Sequence, residues 1–269
     1  MGAQHEDFIM SGHPASRDHR TRAAAVVLAV AVSIAIPAVQ AIGRIGLSPA
    51  QFAAQGDATL RAAPYAFGVW ALIYIGLIAF AVYQCRGSVR RSALMDAVGW
   101  PAAAGILGCG LWILVSAVNL QWLSILVLMA SAASLITGLG RARTARASAA
   151  LADRLLALWP LFLLTGWLTV ASALNIVTVL TAQGVISPAI AWAVGAILAT
   201  LVVAAALGWR LASAVYLAPI AWGLIGVAVA ERLQPLTAGA AASAAAVLVL
   251  EAVWLARRPL PRLAASAGI

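Results

Sequence analysis

Hydrophobic positions run along this chain in long continuous blocks. Eight blocks stand out, at about 22–42, 64–84, 99–118, 122–139, 155–180, 188–208, 211–230 and 237–256. Each is close to the roughly 20 apolar residues that a helix needs to cross a hydrocarbon core. Lipid offers no partner for backbone N–H and C=O groups, so a spanning segment is a helix or part of a closed barrel. Barrel strands alternate in polarity and these blocks do not. The pattern predicts an all-α, polytopic membrane bundle of about eight transmembrane helices. Polar punctuation between blocks is short. "NLQ", Asn119 to Gln121, joins the third and fourth and makes them antiparallel neighbours. The longest loop, Gly43 to Ala63, carries Gly, Pro, Gln and one acid, Asp57.

Charge placement adds an orientation. All 17 basic residues are arginine. Threading the eight spans leaves only Arg44, Arg61 and Arg232 on one side, and the remaining fourteen on the side of both termini. Cytoplasmic loops are the arginine-rich ones, so both termini are expected in the cytoplasm. The net charge of +9 is then a topology signal and no nucleic-acid partner is expected. The first span has a second reading as a cleavable signal, with a basic flank, an apolar core, Pro37 and "VQA".

Composition agrees with the pattern. Hydrophobic residues are 64% of the chain and charged residues 9%, against about 25% charged in a soluble domain. Mean hydropathy is +1.00. Residues 1–21 are expected to form a disordered cytoplasmic tail and 257–269 a basic one.

Absences then remove function classes. Without lysine there is no retinal Schiff base. His5, His13 and His19 all fall in the N-terminal tail, so a membrane-embedded bis-histidine haem has no ligands. Cys85 and Cys109 have no metal or disulfide spacing. Glu251 is the one acid well inside a span. It lies seven residues before Arg258 on the same helix face, where the two are expected to pair or to reach the interface. No nucleophile–base pair or metal cluster suggests an enzyme, and no covalent cofactor is implied.

Aromatic and amide residues remain. Trp100, Trp209, Trp254, Trp122 and Trp159 fall near span ends, as an interfacial belt requires. Trp70, Trp112 and Trp167 lie deeper. Phe67, Trp70 and Tyr74 follow i, i+3, i+7 spacing and share a face. Trp112 and Asn119 share a face of the third span, and Trp167 precedes Asn175 by eight residues in the fifth. Two readings stand side by side: helix–helix packing, and a pocket for a flat apolar ligand.

Three of these stretches together resemble the TspO/MBR family of tryptophan-rich sensory proteins, relatives of the mitochondrial translocator protein. "FGVWALIY", Phe67 to Tyr74, is similar to the family's second-helix signature. "VNLQW", Val118 to Trp122, resembles its asparagine-x-x-tryptophan step after helix three. "WLTVASALN", Trp167 to Asn175, resembles its fifth-helix signature. The resemblance implies a five-helix unit over 22–180, with three additional spans over 181–256. It implies a hydrophobic small-molecule partner, a tetrapyrrole such as a porphyrin, and a sensory, regulatory or transport role in the bacterial inner membrane. Trp70 and Trp167 match the pocket tryptophans, with Phe67, Tyr74, Trp112, Asn119 and Asn175 as companions. The family's tryptophan-proline-proline segment is missing before the second span, where Pro64 stands alone, and its proline-tyrosine before Trp167 is replaced by "LLTG". These departures weigh against light-dependent porphyrin breakdown more than against binding. The rival class is a small-solute transporter hinged at Pro101, Pro160 and Pro219. Small residues throughout would also allow a homodimer.

Overall fold

A computed structural model describes residues 14–56, 60–187 and 190–258, with side chains from residue 18 onward. Most of the expected N-terminal tail, with His5 and His13, Asp57, Pro188 and the end of the basic tail, lie outside the described residues.

The chain is helical, as the continuous apolar blocks require. In order come α1 (Pro14–Gly43), α2 (Pro49–Ala54), a 3-10 turn (Pro64–Gly68), α3 (Val69–Gln84), α4 (Gly87–Arg90), α5 (Ala93–Ala117) and α6 (Gln121–Arg141). Then follow α7 (Arg143–Ala147), α8 (Leu151–Asp153), a π-helical turn (Arg154–Leu158), α9 (Trp159–Ala182), α10 (Ile190–Leu211), α11 (Ala214–Ala230) and α12 (Pro235–Arg257). Among the described residues, seven helices are long and apolar enough to cross a membrane. The eighth apolar helix is α11, whose 17 residues sit at the short end of what a span needs. The protein is therefore a polytopic membrane helical bundle.

Local chemistry sets the boundaries. Ser92 and Ser213 cap α5 and α11, their hydroxyls accepting the N–H groups of Met95 and Tyr216. Ser48 and Gln51 form a capping box on α2. Pro235 opens α12 at a position where its missing N–H costs nothing. Asn119 turns the chain between α5 and α6 with φ at 56°, a conformation asparagine tolerates better than most residues.

The first span differs from its expected start. α1 begins at Pro14, and its Arg22 is 2% exposed. Arg22 Nη1 donates to Asp96 Oδ1 at 2.5 Å and Nη2 to the Arg90 carbonyl at 2.5 Å, fastening α1 to the end of α4 and the start of α5. His19 Nδ1 is 3.3 Å from the same carboxylate. Hydropathy alone ends the helix at the first charges; an ion pair with another helix lets it continue. Deeper in the bundle, Ser33 Oγ donates to the Ile106 carbonyl at 2.5 Å and adds a second α1–α5 tie.

α9 runs through the centre, packing on α3, α6, α10 and α11. Between Thr165 and Trp167 it is almost wholly buried. α10 and α11 pack on α9, and α12 packs on α10 and α11. Pro101 and Pro219 lie inside α5 and α11, and Pro160 follows the π-helical turn into α9.

Candidate functional site

Phe67 sits in the 3-10 turn and Trp70 and Tyr74 on the first two turns of α3, so all three point along one face. That face meets Trp167 of α9. The Trp70 and Trp167 rings contact edge to face, with centroids 6.1 Å apart at 80°. Phe67 meets Trp167 in the same way, at 6.1 Å and 77°. Tyr74 stacks on Trp70 at 5.3 Å and 25°. Trp167 is 3% exposed, and the other three rings are half-buried. The structure thus brings four of the seven expected site residues into one aromatic cluster between two helices.

The other three are elsewhere. Trp112 packs edge-on against Phe52 of α2 at 6.1 Å, and its Nε1 is buried without a partner. Asn119 is exposed in the α5–α6 turn, its Oδ1 accepting from Gln121 Nε2 at 3.3 Å. Asn175 is buried and donates from Nδ2 to Ser124 Oγ of α6 at 2.9 Å. Sharing a helix face placed none of these beside the Trp70–Trp167 contact, because the partner helix on each face differs.

Sequence reasoning missed the contribution of α11. Trp222 Nε1 donates to the Ala66 carbonyl at 2.9 Å, and the Trp222 ring lies edge-on to Tyr65 at 5.4 Å. The Ala63 N–H donates to the Gly226 carbonyl at 2.9 Å. A Cβ at Gly226 would lie 2.8 Å from the Ala66 methyl, so only glycine lets this strip of α11 approach so closely. Glu231, 4% exposed at the end of α11, accepts the Arg61 N–H at 3.2 Å. Burial pushes its carboxyl above the ordinary value, against the opposing pull of the Arg61 N–H and charge. Three bonds thus tie the segment from Arg61 to Ala66 to α11, next to the aromatic cluster.

The pairing expected between Glu251 and Arg258 is not formed. The Arg258 guanidinium lies 3.2 Å from the Trp254 ring centroid and 4.4 Å from that of Trp209. Those two rings are stacked at 4.7 Å. A stacked indole pair at the helix end holds the cation better than a carboxylate two turns deeper. Glu251 Oε1 is left buried and without a partner, facing the gap at Gly208.

Two clefts open elsewhere on the surface. One, of about 400 Å³, lies between α5 and α6; the other, of about 310 Å³, lies between α11 and α12. Neither is lined by the four clustered rings. A flat ligand entering among those rings must separate Trp70 from Trp167. Among the described residues no group of three or more His, Cys, Asp or Glu side chains could hold a metal ion.

The clustered rings come from two of the three stretches that carry the family resemblance, and comparison with known families extends the match well past them. The pattern of the TSPO-like protein family matches residues 23–254. The chain belongs to that family. The match covers α10, α11 and α12 as well as the first five spans. No curated protein and no solved structure gives a significant match.

Proposed function

We propose that this TSPO-like membrane protein binds a planar hydrophobic ligand of the tetrapyrrole class between α3 and α9, and that it senses or moves that ligand rather than transforming it. The observation that carries this reading is the edge-to-face contact of Trp70 with Trp167, with Phe67 and Tyr74 on either side. Indole and phenol rings supply broad apolar faces with polar tips, the chemistry a flat macrocycle needs. The cluster lies where an α3 face meets the buried centre of α9, shielded from water and bordered by the segment that α11 holds. The bacterial inner membrane, with both termini in the cytoplasm, is the location the arginine asymmetry favours.

Titrating the purified protein with protoporphyrin and reading tryptophan fluorescence tests the proposal. Saturable quenching that weakens in Trp70→Phe and Trp167→Phe is expected. Saturable quenching indifferent to both substitutions would place the ligand elsewhere.

A further inference from the structure

The cleft between α5 and α6 opens sideways at the arginine-rich end of the bundle, with a volume of about 400 Å³. Its α6 wall is a single stripe, Ala130, Ala133, Thr137 and Arg141, at i, i+3, i+7 and i+11. Trp100 of α5 lies beside the stripe and is exposed. The wall contains two hydroxyls, yet both are already used. Ser134 Oγ donates to the Pro101 carbonyl at 3.0 Å and Thr137 Oγ1 to the Ala133 carbonyl at 2.7 Å. The groove is therefore apolar in effect until it reaches Arg141. That guanidinium is exposed, and the ion pairs among the described residues involve Asp96 alone.

The dimensions identify an occupant. Eleven residues of helix from Ala130 to Arg141 span about 16 Å, close to half of a hydrocarbon core of about 30 Å. An apolar groove one leaflet deep, with a tryptophan beside it and an unpaired arginine at its mouth, matches one lipid from headgroup to chain end. Guanidinium binds phosphate in two parallel hydrogen bonds, and a net anionic headgroup gains further from the surrounding arginines. We propose that this groove seats one anionic phospholipid of the leaflet at the arginine-rich end, its phosphate on Arg141 and an acyl chain over Ala130 and Ala133. The site is independent of the aromatic cluster between α3 and α9.

Native mass spectrometry of the detergent-purified full chain, supplied with phosphatidylglycerol or phosphatidylcholine, tests it. One retained phosphatidylglycerol per chain is expected. Arg141→Gln should lower the retained fraction about fivefold, since a basic residue near a lipid surface contributes about 1 kcal/mol. Ala133→Phe, which fills the groove from an exposed position, should abolish retention, and Ala130→Leu provides a second filling should that variant fail to fold. Arg232→Gln, between α11 and α12 at the opposite end of the bundle, should retain lipid as wild type does. Equal retention of phosphatidylcholine, or full retention in both filled variants, overturns the proposal. So does a wild-type dimer that Ala133→Phe converts to monomer, because the occupant is then a second copy of the chain.

Discussion

The indoles of Trp70 and Trp167 touch edge to face, joining α3 to the buried centre of α9 at a centroid distance of 6.1 Å. A ligand stacked on either ring gains about 0.5–1.5 kcal/mol beyond its buried area. Trp70→Phe and Trp167→Phe keep an apolar ring but remove indole area and the N–H. Each is expected to weaken protoporphyrin binding roughly three- to tenfold, since about 1.4 kcal/mol is a factor of ten. The two changes should couple in a double-mutant cycle. Trp254→Phe, in the Arg258 stack, should leave binding unchanged.

The Asn175–Ser124 contact between α9 and α6 should be asymmetric. Ser124 Oγ also donates to the Gln121 carbonyl at 2.6 Å, so it keeps a partner when Asn175 is replaced. Among the described residues, Asn175 Nδ2 donates to the Ser124 hydroxyl alone. Asn175→Leu should therefore cost little, near the average of about 0.6 kcal/mol for interhelical hydrogen bonds in membranes. Ser124→Ala leaves a buried amide unpaired and should cost about 1–3 kcal/mol. Thermal unfolding in detergent checks the order; a larger loss in Asn175→Leu would refute it.

Gly226 predicts a steric effect. Gly226→Val would drive a side chain into Ala66 and break the close approach that lets Ala63 N–H reach the Gly226 carbonyl. Overpacking of this kind costs about 1–3 kcal/mol. At about 2–4 °C per kcal/mol, a fall in Tm of several degrees is expected. Trp222→Phe, which removes the bond to the Ala66 carbonyl and trims the ring that meets Tyr65, should cost about 1 kcal/mol or somewhat more. An unchanged Tm in both would mean that α11 does not hold the segment.

Glu231 predicts a pH dependence with a definite sign. Its carboxyl is raised above the ordinary value of 4.5 by burial. The folded state then holds the proton more tightly than the unfolded one. Its contribution is fully present below the ordinary value and is lost as pH rises through the raised one. Glu231→Gln can still accept the Arg61 N–H and carries no charge. The variant should match wild type near pH 4 and melt higher than wild type at pH 8. A variant that melts lower at pH 8 would show that the charge on Glu231 stabilises the C-terminal end of α11.

Much of the fold was legible because lipid simplifies the code. Continuous apolar runs can only be helices, and seven of the eight expected spans agree with observed helices to within a few residues at most ends. The α1 boundary was not legible, since Arg22 reads as the end of a span until Asp96 is found beside it. Helical spacing correctly grouped Phe67, Trp70 and Tyr74, because that grouping is local.

The sequence by itself determined the class, the number of apolar helices and the family, through hydropathy and three short motifs whose meaning lies within one helix turn or two. Only the tertiary structure decided which faces meet. It put Trp70 against Trp167, sent Trp112 to Phe52 and Asn175 to Ser124, and brought Trp222 and Glu231 of α11 to the Arg61–Ala66 segment. The physical reason is that helix formation in lipid follows from the residues of one segment. Which face buries against which neighbour depends instead on pairwise fit, such as a glycine opposite a methyl or a cation over an indole stack. That fit involves residues more than a hundred positions apart, as with Ala66 and Trp222.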